Sequence, residues 1–143
     1  MHWISSWRTL GFALALSLAT SGCGVPHYEV TGKVTYNGAP LAKSGGKIVF
    51  VGFNGDQAAA DIAEDGTYKA PGVVAGPNQV AVYYPNPKAS RDKSTKLKPG
   101  EYRTSIPPLL TPSSYADATK SGLGCQVAKN ETFDVDIKGP KIP

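Results

Sequence analysis

The sequence predicts an all-β fold, a single seven-stranded antiparallel β-sandwich, on three observations. Gly and Pro are abundant, at 16 and 12 of 143 residues, and they fall between short apolar runs, which disfavours long helices. The runs either alternate with a period of two or are short and β-branched, the signatures of half-buried and fully buried strands. Turn dipeptides punctuate them at regular spacing.

The clearest strand comes first. Tyr28, Val30, Gly32, Val34 and Tyr36 alternate with Glu29, Thr31, Lys33, Thr35 and Asn37, which puts a mainly apolar set on one face and a polar set on the other. Asn37-Gly38 ends it, because both residue types tolerate positive φ. Lys47 to Phe53, KIVFVGF, is apolar on both faces and reads as an inner strand, with Asn54-Gly55 as a hairpin signal directly after it. Gln57 to Ala63 is alanine-rich, but its brevity and the flanking turns favour a weak strand over a helix. Thr67 to Ala70 follows the Glu64-Asp65-Gly66 turn as a short return strand. Pro71-Gly72 and Gly76-Pro77-Asn78 then bracket an exposed connection, and Gln79 to Tyr84 restores alternation through Val80, Val82 and Tyr84.

The rhythm breaks over residues 85–121, a loop insert rich in proline, within which Ser113 to Lys120 is free of Pro and Gly and long enough for one helical turn. Two strands close the chain, Leu123 to Ala128 and Thr132 to Ile137, joined by Lys129-Asn130-Glu131. The domain therefore runs from 28 to 138, with 139–143 as a C-terminal tail. Lys88, Arg91, Lys93, Lys96, Lys98 and Arg103 cluster in the insert against Asp92 and Glu101. This is the main charge concentration of the chain and the candidate site for an anionic surface. Tyr102 is the one aromatic residue among them, which argues against nucleic acid.

Ahead of the domain, residues 1–22 read as an export signal: Arg8 is followed by the apolar run Leu10 to Leu18. The run is shorter than the roughly 20 apolar residues that a bilayer core of about 30 Å requires. Thr20-Ser21-Gly22-Cys23 resembles a lipobox, which implies acylation of the Cys23 thiol and a short lipid-anchored tether, 23–27. A second reading stays open, ordinary signal cleavage that leaves Cys23 free or bonded to Cys125. With only these two cysteines, no disulfide framework supports the fold.

Seven short strands at this spacing imply a sandwich of transthyretin or immunoglobulin type. The stretch Val30 to Phe50, VTGKVTYNGAPLAKSGGKIVF, and the later Asp61-Ile62-Ala63-Glu64-Asp65-Gly66-Thr67-Tyr68 resemble the carboxypeptidase regulatory-like, or transthyretin-like, domain. Ile106-Pro107-Pro108, Ser114 to Asp117 and Phe133 to Ile137 are similar to the C-terminal half of small lipoproteins of planctomycete-type bacteria. The resemblance implies a bacterial cell-envelope protein whose motifs are turn chemistry, with no assigned reaction.

Catalytic chemistry is poorly represented. The transthyretin-like fold also hosts hydroxyisourate hydrolases, and Tyr102-Arg103-Thr104-Ser105 is superficially similar to their C-terminal tail. His27 is the lone histidine after the signal, so a general base for a hydrolase or a Cys125 nucleophile is wanting. Asp61, Glu64 and Asp65 match no calcium-loop spacing. The expectation is a non-enzymatic, membrane-tethered binding or structural module of the cell envelope, facing the periplasm or exterior. It needs no cofactor or metal, and its partners are the membrane and an acidic glycan or envelope protein. The alternatives are a secreted soluble binding domain with a Cys23–Cys125 disulfide and a transthyretin-like hydrolase.

Overall fold

A computed structural model describes residues 24–89 and 107–142. The fold is all-β, as expected. The strands are β1 (His27–Tyr36), β2 (Gly46–Gly52), β3 (Gln57–Ile62), β4 (Thr67–Val74), β5 (Gly76–Tyr83), β6 (Leu123–Val127), β7 (Glu131–Thr132) and β8 (Val135–Ile137), with one 3-10 turn, η1 (Ser113–Ala116), before β6. They form one hydrogen-bonded path in the order β6-β5-β2-β3-β4-β1-β7, with β8 also on β1.

Two features refine the expected sandwich. The last strand is broken in two, giving eight strands, and both pieces run parallel to β1 while every other pairing is antiparallel. The direction follows from the connection. β6 runs back toward the end of the sheet where β1 begins, and the link Ala128 to Asn130 returns the chain alongside β1. One short link thus joins the two edges of the path, and the sheet wraps to bury its own face.

Local chemistry explains the turns. Asn37 and Gly38 both have positive φ, 52° and 87°, and Tyr36 and Ala39 exchange backbone hydrogen bonds across them, the two-residue hairpin expected from Asn-Gly. The next two hairpins use three-residue loops closed by a glycine at φ 87°, Gly55 and Gly66. In the second, the Asp65 carboxylate accepts from the Thr67 amide and hydroxyl at 2.9 and 2.7 Å. Phe53 therefore lies outside β2, as the first residue of its loop.

The expected connection at Pro71 to Asn78 is mostly strand. Pro71 and Gly72 oppose the single residue Glu29, between the pairs Val30↔Ala70 and Tyr28↔Val73, and Gly72 has φ 75°. This is a β-bulge, a place where a sheet accepts a missing N–H and a positive φ. Only Ala75 separates β4 from β5.

Alternation then selects the core. Val30, Val34, Ile48, Phe50, Ile62, Tyr68, Val80, Val82, Val127 and Ile137 are buried on the inner face. Phe50 is near its centre, with ring centroids 6.1 Å from Tyr68 and 6.3 Å from Phe133. Ala58 and Ala60 are, with Ile62, the inward residues of β3; the two small side chains let the wrapped sheet close without overfilling. Between β7 and β8 the Phe133 carbonyl accepts from the Tyr68 hydroxyl at 2.5 Å. A Cβ on Gly32 would overlap that carbonyl. Side chains supply acceptors where the ladder lapses: Asp134 takes the Lys33 amide at 2.8 Å at the break itself, and Asn130 takes the Glu29 amide at 2.9 Å ahead of β7.

Two outcomes are expected. Gly32→Ala must push the Phe133 backbone aside and should lower unfolding free energy by about 3 kcal/mol or more, whereas Tyr68→Phe strands a partly buried acceptor at about 1–3 kcal/mol. Urea denaturation of both variants measures this, and an unperturbed Gly32→Ala protein would contradict the close approach. The second concerns acid. Lys138, Thr35 and the Gly38 amide hold the Asp136 carboxyl down at about 2, below the roughly 3.9 of an unfolded aspartate. Its stabilisation is therefore complete above about pH 4 and is lost as pH falls toward 2. Asp136→Asn should flatten that part of the pH–stability curve.

Candidate functional site

The sheet has two unlike ends, joined directly by β5. At the near end the described chain arrives through Gly24, Val25 and Pro26; the Pro26 carbonyl accepts from the Ala75 amide at 2.8 Å, and His27 pairs with Val74. The β2–β3 loop lies beside it, with the Phe53 ring against Gly76. At the far end β5 leads into Tyr84-Pro85 and the insert. Eight residues of β5 put about 23 Å between these ends.

The two roots of the insert are laced together at the far end. Pro85 bridges Leu109, Asn86 donates to Pro108 at 2.9 Å, and Leu110 donates to the Tyr84 carbonyl at 2.8 Å. The Asn86 side-chain amide adds a bond to Pro107 at 3.0 Å. Beneath them the Tyr84 ring is buried over Gly46, whose missing Cβ makes room for it. Two adjoining hollows of about 340 and 380 Å³ lie here, sharing Pro107, Leu109, Leu110 and Pro140. Lys88, Lys141 and Ile142 border the first. An apolar floor beside two cations suits an anionic group carried on an apolar or sugar-like body.

Of the residues singled out in the sequence, Lys88 is exposed at this root, its amide bonded to the Asn86 side chain at 3.0 Å. Arg91, Lys93, Lys96, Lys98 and Arg103 lie outside the described residues, as do Cys23 and the Tyr102–Ser105 stretch. Lys141 and the hollows were not foreseen. The signal for them was faint: a lysine between two prolines in a tail that reads as a trailing end.

Elsewhere the reactive side chains are engaged structurally. Cys125 is a buried free thiol, 3.5 Å from the Glu131 carboxylate. Burial, then that carboxylate, pushes it up to about 11, so it is protonated at neutral pH and a poor nucleophile. His27 Nε2 is 3.7 Å from Asp56 Oδ2, both side chains about half exposed; this His–Asp pair has the base of a triad, but its surroundings are loop amides. Asp61 pairs with Lys47 and Asp65 caps its own turn, so two of the three acidic residues near Gly66 are already occupied. A groove of about 550 Å³ on the outer side of β2 and β5 is bounded by Ala116 to Thr119. Its carboxylate, Asp117, is bonded to Thr119 and paired with Lys120. Asn78 is buried and ties the β4–β5 turn through Val74 and Gly76, at 2.9 and 3.0 Å. Its Oδ1 has no hydrogen-bond partner among the described residues. No described helix is long and apolar enough to cross a membrane.

No family model and no curated protein matches the chain. Two solved structures are similar in shape at low identity. A DUF3823 family protein from Parabacteroides merdae is 11% identical, with a TM-score of 0.39 over 79% of this chain and 46% of that one. BcpA, the major pilin subunit of Bacillus cereus, is 15% identical, with a TM-score of 0.41 over 80% of this chain and 30% of that one. The chain thus spans less than half of either.

The state of Cys125 is open to direct measurement. In a Cys23→Ser protein, a thiol reagent at mildly alkaline pH should label Cys125 orders of magnitude more slowly in the native state than in urea. Equal rates would show that the thiol is neither buried nor protonated.

Proposed function

We propose that this chain is a non-enzymatic envelope module, tethered to a membrane through lipid on Cys23, that presents its basic insert to an acidic glycan. The observation that carries the reading is the separation of the two ends: the chain arrives beside Ala75, while the insert is rooted beyond the other end of β5. The arriving chain and the roots of the insert lie at opposite ends of one wrapped sheet, the arrangement a spacer requires. The lipobox-like junction and the resemblance of Val30 to Phe50 to the carboxypeptidase regulatory-like domain agree with it. So does the structural engagement of Cys125, Asp61 and Asp65. The lysine-bordered hollows beneath the insert give the glycan a floor to rest on.

The test has two independent arms. Mass spectrometry of the mature protein should show Cys23 as a diacylglyceryl N-terminus, and Cys23→Ser should move the protein from the membrane to the soluble fraction. Replacing Lys88, Arg91, Lys93, Lys96, Lys98 and Arg103 with Gln should abolish salt-sensitive retention on an acidic polysaccharide without changing membrane fractionation. An unmodified Cys23 sinks the tether. Retention that survives neutralisation sinks the glycan role.

A further inference from the structure

Among the described residues, two large apolar side chains stand exposed, Val25 at 38% and Phe53 at 63%. They are 28 positions apart in sequence, yet both flank the same turn. Pro26, next to Val25, accepts from Ala75, and the Phe53 ring lies against Gly76, where a Cβ would sit 3.3 Å from two ring carbons. Gly76 also has φ 106°, so a side chain there would be strained as well as crowded. Phe53 is thereby held as the first residue of a three-residue loop that the Gly52–Asp56 and Gly55–Gly52 backbone bonds close at 2.8 and 2.9 Å. A hairpin loop of this length works equally well with a polar first residue, so the turn does not explain the phenylalanine.

We propose that this near end is a bilayer-docking surface, in which the Phe53 ring, with Val25 beside it, enters the boundary between lipid headgroups and acyl chains. The inference rests on the reading of Cys23 as the lipid anchor and specifies how the anchored domain sits. An anchor at Cys23 is two residues from Val25, so an acyl chain entering the membrane brings this end of the sheet to the interface. An amphipathic boundary takes up an aromatic ring at such a site. The charge at this end is mixed and partly paired: Asp56 faces His27 at 3.7 Å and accepts from the Asn54 side chain at 2.7 Å, Glu29 pairs with Lys69 at 3.0 Å, and Lys129 and Glu131 lie where β6 passes to β7. Docking here works by apolar insertion, and it leaves β5 pointing away from the membrane.

The sequence provides a clean probe. Its two tryptophans, Trp3 and Trp7, precede Cys23 and leave with the signal, so an introduced indole is the sole one in the mature chain. Mature, lipid-bearing Phe53→Trp and Leu109→Trp proteins would be reconstituted into phosphatidylcholine vesicles in which part of the lipid is brominated on its acyl chains. Emission from the indole at 53 should shift to shorter wavelength and be quenched several-fold more than that at 109, with no loss in high salt. Equal quenching at the two positions, in samples whose mass confirms diacylglyceryl-Cys23, would overturn the docking while leaving the anchor intact. A mass without lipid would remove the anchor reading and the docking with it. Concentration-dependent burial of the indole at 53 in a soluble Cys23→Ser protein would assign the surface to a second copy of the chain, and would also overturn the proposal.

Discussion

The hydrogen bond from the Tyr68 hydroxyl to the Phe133 carbonyl, made over the vacant side of Gly32, is the constraint around which the sheet closes. With no long helix among the described residues, the inner face has to be covered by other strands of the same sheet. The seam where that wrapping ends runs along β1, and there a regular ladder is interrupted so that one carbonyl can turn inward. Burial raises the Tyr68 phenol well above its ordinary range, so it is a donor at neutral pH. Gly32, Tyr68 and Phe133 come from three separate parts of the chain, and each is useful only in the presence of the other two.

Closing the seam also uses the short polar side chains of the last segment. Asn130 and Asp134 occupy positions that strand carbonyls would otherwise fill, and Asp136 gathers Thr35, the Gly38 amide and Lys138. An exposed edge of β1 would be a template for pairing with other chains. Here two short parallel strands and three side chains cover it. The acidic residues Asp134 and Asp136 of this tail are therefore structural.

Much of the fold was legible because alternation and turn chemistry are local. β1 follows from spacing, the Asn37-Gly38 turn from residue type, and the alanine strand β3 from its brevity and its flanking turns. The bulge at Pro71-Gly72 was not legible, since the same two residues that break an isolated strand are tolerated where a neighbouring strand supplies the matching irregularity. The split between β7 and β8 was hidden for a related reason: the alternation of Phe133, Val135 and Ile137 is uninterrupted, and the cause of the break is Tyr68, 65 positions away. For the two ends of the sheet, residue type points to Cys23 and the lysine cluster, but that the chain enters beside Ala75 and that Lys88 lies beyond the other end of β5 depends on the pairing of strands distant in sequence. Phe53 was absorbed into the apolar run before it, although a three-residue loop ending at Gly55 has to begin at Phe53.

The length of β5 acquires a further meaning when ionic screening is considered. At physiological salt, electrostatic influence decays over about 8 Å, and the eight residues of β5 span nearly three such lengths. Lys88 and Lys141, beyond Tyr84, are then electrically independent of the His27–Asp56 pair at the other end. The strand is an insulator as well as a spacer, and the charge at each end of the sheet is set by that end's own neighbours.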